Sequence, residues 1–144
     1  MHFVAARLSY LGFHAVPTTR NVAGPDVLVS NISGSKAVSI QVKTTKWAMR
    51  TRGRGASKSP HHCEWDIGWT SARLSFRMLF FALVDLRDFE GLPDVYVIPS
   101  QVIYRYFEDG NPETWKRARY HPSIDELEHF KNNWSLIEAM LREG

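Results

Sequence analysis

The chain has one cysteine, no long apolar run, and no acidic residue between Asp26 and Glu64. Cys63 stands alone among 144 residues, which excludes an intrachain disulfide and a cysteine-rich zinc module. No apolar run approaches the roughly 20 residues that a membrane-spanning helix needs. The N-terminal "MHFVAARLSYLGF" lacks the charged region and apolar run of a secretory signal. We therefore expect a cytoplasmic protein with one domain over residues 1–144, since this length suits a single core.

Acidic residues are missing from the stretch that follows Asp26. No Asp or Glu occurs from Val27 to Cys63, whereas twelve of the fifteen acidic residues lie from Asp85 onward. Because this stretch is basic, it would attract a polyanion even though the formal charge of the whole chain is only +3. The residues that we expect to contact nucleic acid lie within it: Thr44, Lys46, Arg50, Arg52, Arg54 and Lys58.

The spacing of apolar residues predicts a mixed α/β domain. "MHFVAARLSYLG" has the pattern of an amphipathic helix that ends at Gly12. Alternating or continuous apolar runs predict strands at 13–17, 27–30 and 38–45, and within "MLFFALVDL" and "DVYVIPS". We therefore expect a three-layer α/β architecture, with a mixed central β-sheet flanked by helices.

Local signals predict how these elements begin and end. Ser100 is a candidate N-cap for a helix over 101–107, and Ser123 with Glu126 forms a capping box before a last helix that continues through Leu141. "TTRNVAGPD" is a turn-rich connection that leads to Asp26. The run at 49–60, "MRTRGRGASKSP", has no apolar periodicity and predicts a mobile basic loop.

Three polar residues at the ends of two predicted strands suggest a catalytic site. Asp26 begins one strand, and Gln41 and Lys43 share a face of the next, because positions two apart in a strand point the same way. Magnesium prefers oxygen ligands and keeps several waters. The side chains of Asp26 and Gln41 and the backbone carbonyl of Val42 would supply such ligands, while Lys43 would hold the attacking water or the phosphate. The pattern favours a Mg²⁺- or Mn²⁺-dependent phosphodiesterase.

The residues that carry this chemistry match a known pattern. "GPDVLVSNISGSKAVSIQVKTT" resembles the PD-(D/E)xK, or restriction-endonuclease-like, superfamily, with Pro25-Asp26 as its first element and Gln41-Val42-Lys43 as its second. "MLFFALVDL", "LPDVYVIPSQVI" and "FKNNWSLI" are similar to small bacterial members of that superfamily. The resemblance implies a restriction-endonuclease-like fold and a metal-dependent nuclease, most simply a DNA endonuclease. A homodimer would help such an enzyme to cut both strands.

The sequence departs from the superfamily pattern in two places. Gln41 replaces the second acid, a change that some members share, and the Glu that many members carry on the first helix corresponds here to Met1. The alternative is a nuclease-fold protein with weak or no catalysis that binds nucleic acid or a protein partner. In that case Asp26 is an ordinary turn residue after Gly-Pro, and Lys43 is an exposed lysine that protects a sheet edge.

Overall fold

The computed structural model describes residues 1–19 and 24–142, so part of the predicted turn-rich connection lies outside the described residues. Its helices and strands follow one another along the chain in this order: α1 (His2–Tyr10), β1 (His14–Pro17), β2 (Val27–Ser30), β3 (Ala37–Thr45), β4 (Met49–Arg52), β5 (Ser59–Cys63), β6 (Trp65–Asp66), α2 (Trp69–Ala72), β7 (Leu79–Asp85), β8 (Asp94–Pro99), α3 (Ser100–Phe107), β9 (Arg119–Tyr120), α4 (Ile124–Glu128) and α5 (Ser135–Leu141).

Five strands form one mixed sheet in the order β1-β2-β3-β7-β8. β3 and β7 run parallel, and the other neighbouring strands of this sheet are antiparallel. β2 has four residues and β3 has nine, and Val27 at the start of β2 lies opposite Ile40. The second half of β3 therefore extends beyond β2, and Asp26 lies at the point where the pairing ends.

Strand β7 is the centre of the core, and all seven of its residues are buried. Phe80 and Ala82 pack in a cluster with residues of α1 and α5, whereas Phe81 and Leu83 pack in a second cluster with residues of α2, α3 and α4. A strand that is buried on both faces needs a continuous apolar sequence, which is why "MLFFALVDL" predicts it. The predicted three-layer arrangement of a mixed sheet between helices is confirmed.

Helix α1 packs one apolar stripe on the sheet and ends where the sequence predicts. Val4 and Leu8 are fully buried in the first cluster. Gly12 has φ +96°, a left-handed conformation that favours glycine, and Phe13 then donates a hydrogen bond from its N–H to the Leu8 carbonyl. This turn directs the chain back into β1, alongside β2.

The predicted single C-terminal helix is wrong, because two short helices on opposite faces of the sheet replace it. Between α4 and α5 the chain crosses the outer edge of β8, where Lys131 pairs with Tyr96 and the Val97 N–H donates to the Phe130 carbonyl at 2.9 Å. Asn132 adopts φ +50°, which asparagine tolerates better than most residues. The crossing covers a strand edge that would otherwise expose unpaired backbone groups. Ser123 is the N-cap of the first of these helices, and of the predicted capping box the structure shows the hydrogen bond that its side chain accepts from the Glu126 N–H.

The prediction that residues 49–60 form a loop without regular structure is also wrong, because β4 and β5 form an antiparallel hairpin there. Met49 pairs with Cys63 at its base, and the register shifts between Arg50 and Thr51. Gly53 has φ +100°, and a Cβ added there would lie 2.3 Å from the Ser57 carbonyl oxygen. The sequence does not predict this hairpin because residues 51–61 are exposed, and exposed strands need no alternation of apolar and polar side chains.

Ser100 is the first residue of α3 and not its N-cap, which is Pro99. Its hydroxyl instead donates to the Phe76 carbonyl at 2.7 Å and accepts from the Phe76 N–H at 3.0 Å. Because Ser100 is fully buried, these bonds tie the chain before β7 to the start of α3. None of the helices formed by residues 1–19 and 24–142 has the length and apolar character to cross a bilayer.

Candidate active site

Asp26 is fixed between two strands by its backbone. Its N–H donates to the Ile40 carbonyl at 2.9 Å, and its carbonyl accepts from the Thr18 N–H at 2.9 Å. These bonds continue the pairing of β2 with β3 and of β1 with β2 by one residue. The position of the half-buried carboxylate therefore depends on the sheet and not on a freely moving turn.

The Asp26 carboxylate provides a hydrogen-bond acceptor for β3 at the point where its pairing with β2 has ended. Its Oδ2 accepts a hydrogen bond from the Val42 N–H at 2.7 Å. Beyond Ile40 no residue of β2 remains to accept that hydrogen bond, because the paired residues of β2 end at Val27. In an extended strand the N–H and C=O of one residue point to the same side, so the Val42 carbonyl also faces the Asp26 side of β3.

Gln41 lies beside Asp26, and Lys43 follows on the same face of β3. The Gln41 Nε2 donates to the Gly24 carbonyl at 3.0 Å, which directs the side-chain oxygen of Gln41 away from Gly24. In the parallel register Gln41 lies opposite Phe81 and Lys43 opposite Leu83, two residues of the same core cluster. Half-buried Lys43 makes no hydrogen bond or ion pair with the described residues.

The start of α1 lies close to this group. Burial lowers the pKa of the Met1 amino group, and the negative charge of Asp26 acts on the same pKa in the opposite direction. The two groups must therefore lie within electrostatic range of one another. Position 1, where the PD-(D/E)xK sequence pattern has a Glu, is thus near Asp26 in space.

The oxygen atoms at this place suit a magnesium ion that keeps most of its water. The oxygens that the predicted site would use are the second carboxylate oxygen of Asp26, the side-chain oxygen of Gln41 and the Val42 carbonyl, and only the first is charged. Among the described residues no group of three or more His, Cys, Asp or Glu could hold a metal ion. Mg²⁺ commonly binds through one or two carboxylates together with water and substrate phosphate. The donor set fits the lower end of that range.

Two of the residues predicted to contact nucleic acid already pair with other side chains of the protein, and the others are exposed. Lys46 pairs with Asp88 at 3.0 Å, but both side chains are more than half exposed, so the pair is worth at most about 1 kcal/mol. Arg50 donates to the Trp47 carbonyl at 2.6 Å and pairs with Glu64 at 3.3 Å. Those contacts hold the base of the hairpin.

The other basic residues of the hairpin are exposed along its length: Arg52, Arg54 and Lys58. Thr44 is exposed on the overhanging half of β3.

Two acidic residues that the sequence does not single out position the hairpin. Asp85 ends β7, is 7% exposed, and its Oδ1 accepts from the Ala48 N–H at 3.2 Å and from the Arg87 N–H at 2.9 Å. Glu64 pairs with Arg50 at one side and with Arg119 at the other. An available signal was that Glu64 is the first acidic residue after Asp26.

Comparison with known proteins finds a likeness among solved structures. No protein-family model matches the chain, and no curated protein matches it. Among solved structures the chain is similar to a bacterial homing endonuclease, I-Ssp6803I, with a TM-score of 0.57 and 14% sequence identity. The likeness covers 97% of this chain and 86% of that chain. At such low identity it concerns the fold alone, so the chain shares its fold with a nuclease.

Proposed function

We propose that this chain is a metal-dependent nuclease of the PD-(D/E)xK type that hydrolyses phosphodiester bonds in DNA in the cytoplasm. The observation that carries the proposal is the 2.7 Å hydrogen bond from the Val42 N–H to Asp26, which brings the acid beside Gln41 and Lys43 at the end of a strand pairing. The fold shared with a homing endonuclease supports it. We propose further that residues 1–144 act as one nuclease-like domain.

The residues of this site divide the work of hydrolysis. Asp26 and Gln41, with the Val42 carbonyl, would hold Mg²⁺ or Mn²⁺, which supplies charge neutralisation at the phosphate and a more acidic bound water. The Lys43 amine, which makes no ion pair with the described residues, carries the positive charge that orients the phosphate or the attacking water. The hydrogen bond to Val42 keeps Asp26 from rotating away, so this geometry needs little rearrangement when DNA arrives.

The exposed basic residues of the hairpin extend the site toward the substrate. Arg52, Arg54 and Lys58 lie on a projection that leaves the sheet just after β3, the strand that carries Gln41 and Lys43. Phosphate contacts from such residues fix the register of a duplex without reading its bases. A homodimer would place two such centres on opposite strands, and it would then produce linear DNA in preference to nicked DNA.

A cleavage assay with isosteric variants tests the function. Supercoiled and linear DNA are incubated with Mg²⁺ or Mn²⁺ and with wild type, Asp26→Asn or Lys43→Met. Matched controls are Asp109→Asn and Lys116→Met, which change the same residue types at exposed positions outside the site. We expect metal-dependent cleavage that both site variants lose and both controls keep. Cleavage that continues in Asp26→Asn and Lys43→Met would show that the reaction takes place elsewhere.

A second candidate function is nucleic-acid binding without cleavage. It is favoured by the internal bonds of the site, since Asp26 and Gln41 both hold neighbouring backbone in place. The substitution Gln41→Glu separates the two functions, because it adds a second carboxylate to a metal site but brings no benefit to a purely structural residue. Calorimetric titration with Mn²⁺ should show tighter binding in Gln41→Glu than in wild type. If neither protein binds Mn²⁺ and wild type retains DNA without cutting it, the binding function is the correct one.

A further inference from the structure

A pocket of about 330 Å³ adjoins Gln41 on the side away from the hairpin. Its walls are Gly24 and Pro25, the Ser39 and Gln41 positions of β3, and four residues at and before the start of β7: Leu74, Phe76, Met78 and Leu79. Pro25 immediately precedes Asp26, so the pocket and the candidate active site share a border. We call it the Phe76 pocket, after the aromatic residue in its wall.

Phe76 is exposed but held in a fixed position. Its side chain is 60% exposed and lines the pocket. Its backbone N–H and carbonyl both bond to the buried Ser100 hydroxyl, and its carbonyl also accepts from the Leu79 N–H at 3.1 Å. An exposed aromatic ring on a backbone held in this way offers a stacking surface, and only its side-chain torsions remain to be ordered on binding.

The chain segment that supplies one wall of the Phe76 pocket is basic. No acidic residue occurs from Ile67 to Val84, and Arg73 and Arg77 lie in the segment that forms the wall. Arg73 stacks over Trp69, whereas exposed Arg77 makes no hydrogen bond or ion pair with the described residues. The pocket therefore combines an apolar surface with the polar side chains of Ser39 and Gln41, and exposed Arg77 lies in the chain between two of its wall residues, Phe76 and Met78.

We infer that the Phe76 pocket binds the base of an unpaired nucleotide next to the scissile phosphate, an inference that rests on the proposed nuclease function. A nucleobase has two apolar faces for Phe76, polar edges for Ser39 and Gln41, and an adjoining phosphate for Arg77. A base inside a duplex is stacked on both faces and cannot enter a pocket. The preferred substrate is therefore DNA with a single-stranded or extruded nucleotide at the cleavage site.

Binding is tested with a single strand and the duplex of the same sequence, in EDTA so that nothing is cut. Fluorescence anisotropy compares wild type with Phe76→Ala, Phe76→Leu and Phe76→Trp. Tyr10→Ala is the matched control, because Tyr10 is an aromatic residue that is 81% exposed near the far end of the sheet from Gln41. We expect Phe76→Ala and Phe76→Leu to weaken single-strand binding on the order of 5- to 100-fold, with little change for the duplex.

Phe76→Trp should keep the affinity, and Tyr10→Ala should behave as wild type. Thermal unfolding confirms that each variant is folded. A single strand that contains 2-aminopurine reports stacking directly, since its emission should fall on binding to wild type and not on binding to Phe76→Leu.

Three results would overturn the inference. If Phe76→Leu binds the single strand as tightly as wild type, the pocket recognises apolar surface and not a base. If Phe76→Ala weakens a concentration-dependent self-association and leaves DNA binding unchanged, the occupant is a second copy of the chain. If wild type cuts duplex DNA in a reaction that depends on Asp26, while no Phe76 variant alters single-strand binding, the nuclease function stands and the pocket has another use. Wild type that binds neither strand form would refute the nuclease function as well.

Discussion

The two roles of Asp26 can be separated by a pair of substitutions. Asp26→Ala removes the acceptor of the Val42 N–H, and it also removes the charge that would hold the metal. Leaving a half-buried N–H without a partner costs about 1–3 kcal/mol. For a chain of this length each kcal/mol lowers Tm by roughly 2–4 °C, so the expected loss is roughly 2–12 °C.

Asp26→Asn keeps an acceptor oxygen for Val42 and removes only the charge. Its stability should stay within about 1 kcal/mol of wild type, the difference between a charged and a neutral acceptor. Cleavage, in contrast, should fall at least roughly 100-fold in both variants, because several kcal/mol of transition-state stabilisation depends on the metal. The measurements are thermal unfolding and initial rates of plasmid cleavage in Mg²⁺.

The reasoning fails in either of two ways. Near-normal cleavage by Asp26→Asn would show that the carboxylate is not a metal ligand. Equal stability of Asp26→Ala and wild type would show that the Val42 hydrogen bond contributes nothing, and the site would then lack the fixed geometry that the mechanism needs.

Further measurements concern the hairpin, the thiol, the histidines and the Phe76 pocket. Replacing Arg52, Arg54 and Lys58 together with Gln should reduce the slope of log K against log salt concentration by up to about 3, and an unchanged slope would place DNA elsewhere. Burial and the nearby Asp85 raise the pKa of Cys63 to about 11, so a thiol reagent at about pH 8 should react with the unfolded protein and hardly with the native one. Burial and two neighbouring histidines lower the pKa of His62 in the folded state. Below pH 6.5 the unfolded state therefore binds more protons than the folded state, and the folded state should lose stability as the pH decreases. Between pH 7 and 5 the Tm of His62→Gln should decrease less than that of wild type, and an equal decrease would contradict this. Ser100→Ala leaves the Phe76 backbone without its side-chain partner and should cost about 1–3 kcal/mol in urea unfolding, with no loss if the two bonds are unimportant.

Apolar patterning predicted the elements that pack on a regular face. The strands that became β2, β3, β7 and β8 have apolar residues at each position or at alternate positions, because the sheet buries them on one face or on both. The β4–β5 hairpin and the division between α4 and α5 could not be found in this way. The hairpin pairs through its backbone while most of its side chains are exposed, and the division depends on the edge of β8, which lies more than thirty residues earlier in the chain.

The candidate site shows the same division. Strand alternation alone indicated that Gln41 and Lys43 share a face, and that Asp26 begins the neighbouring strand. It did not indicate that Glu64 and Asp85 hold the base of the hairpin, since each acts on residues that are distant in sequence or are bound through the backbone.

The sequence by itself determined the mixed α/β architecture and the identity of the three side chains proposed for chemistry, because both follow from periodicity and residue type. Only the tertiary structure decided that β3 extends beyond β2, so that the Asp26 carboxylate completes the hydrogen bonding of Val42. It also decided that the Ser100 hydroxyl binds the Phe76 backbone, and that Phe76 and Gln41 line the same pocket. Both depend on how far separate segments extend past one another in space, and no local pattern of residues encodes that distance.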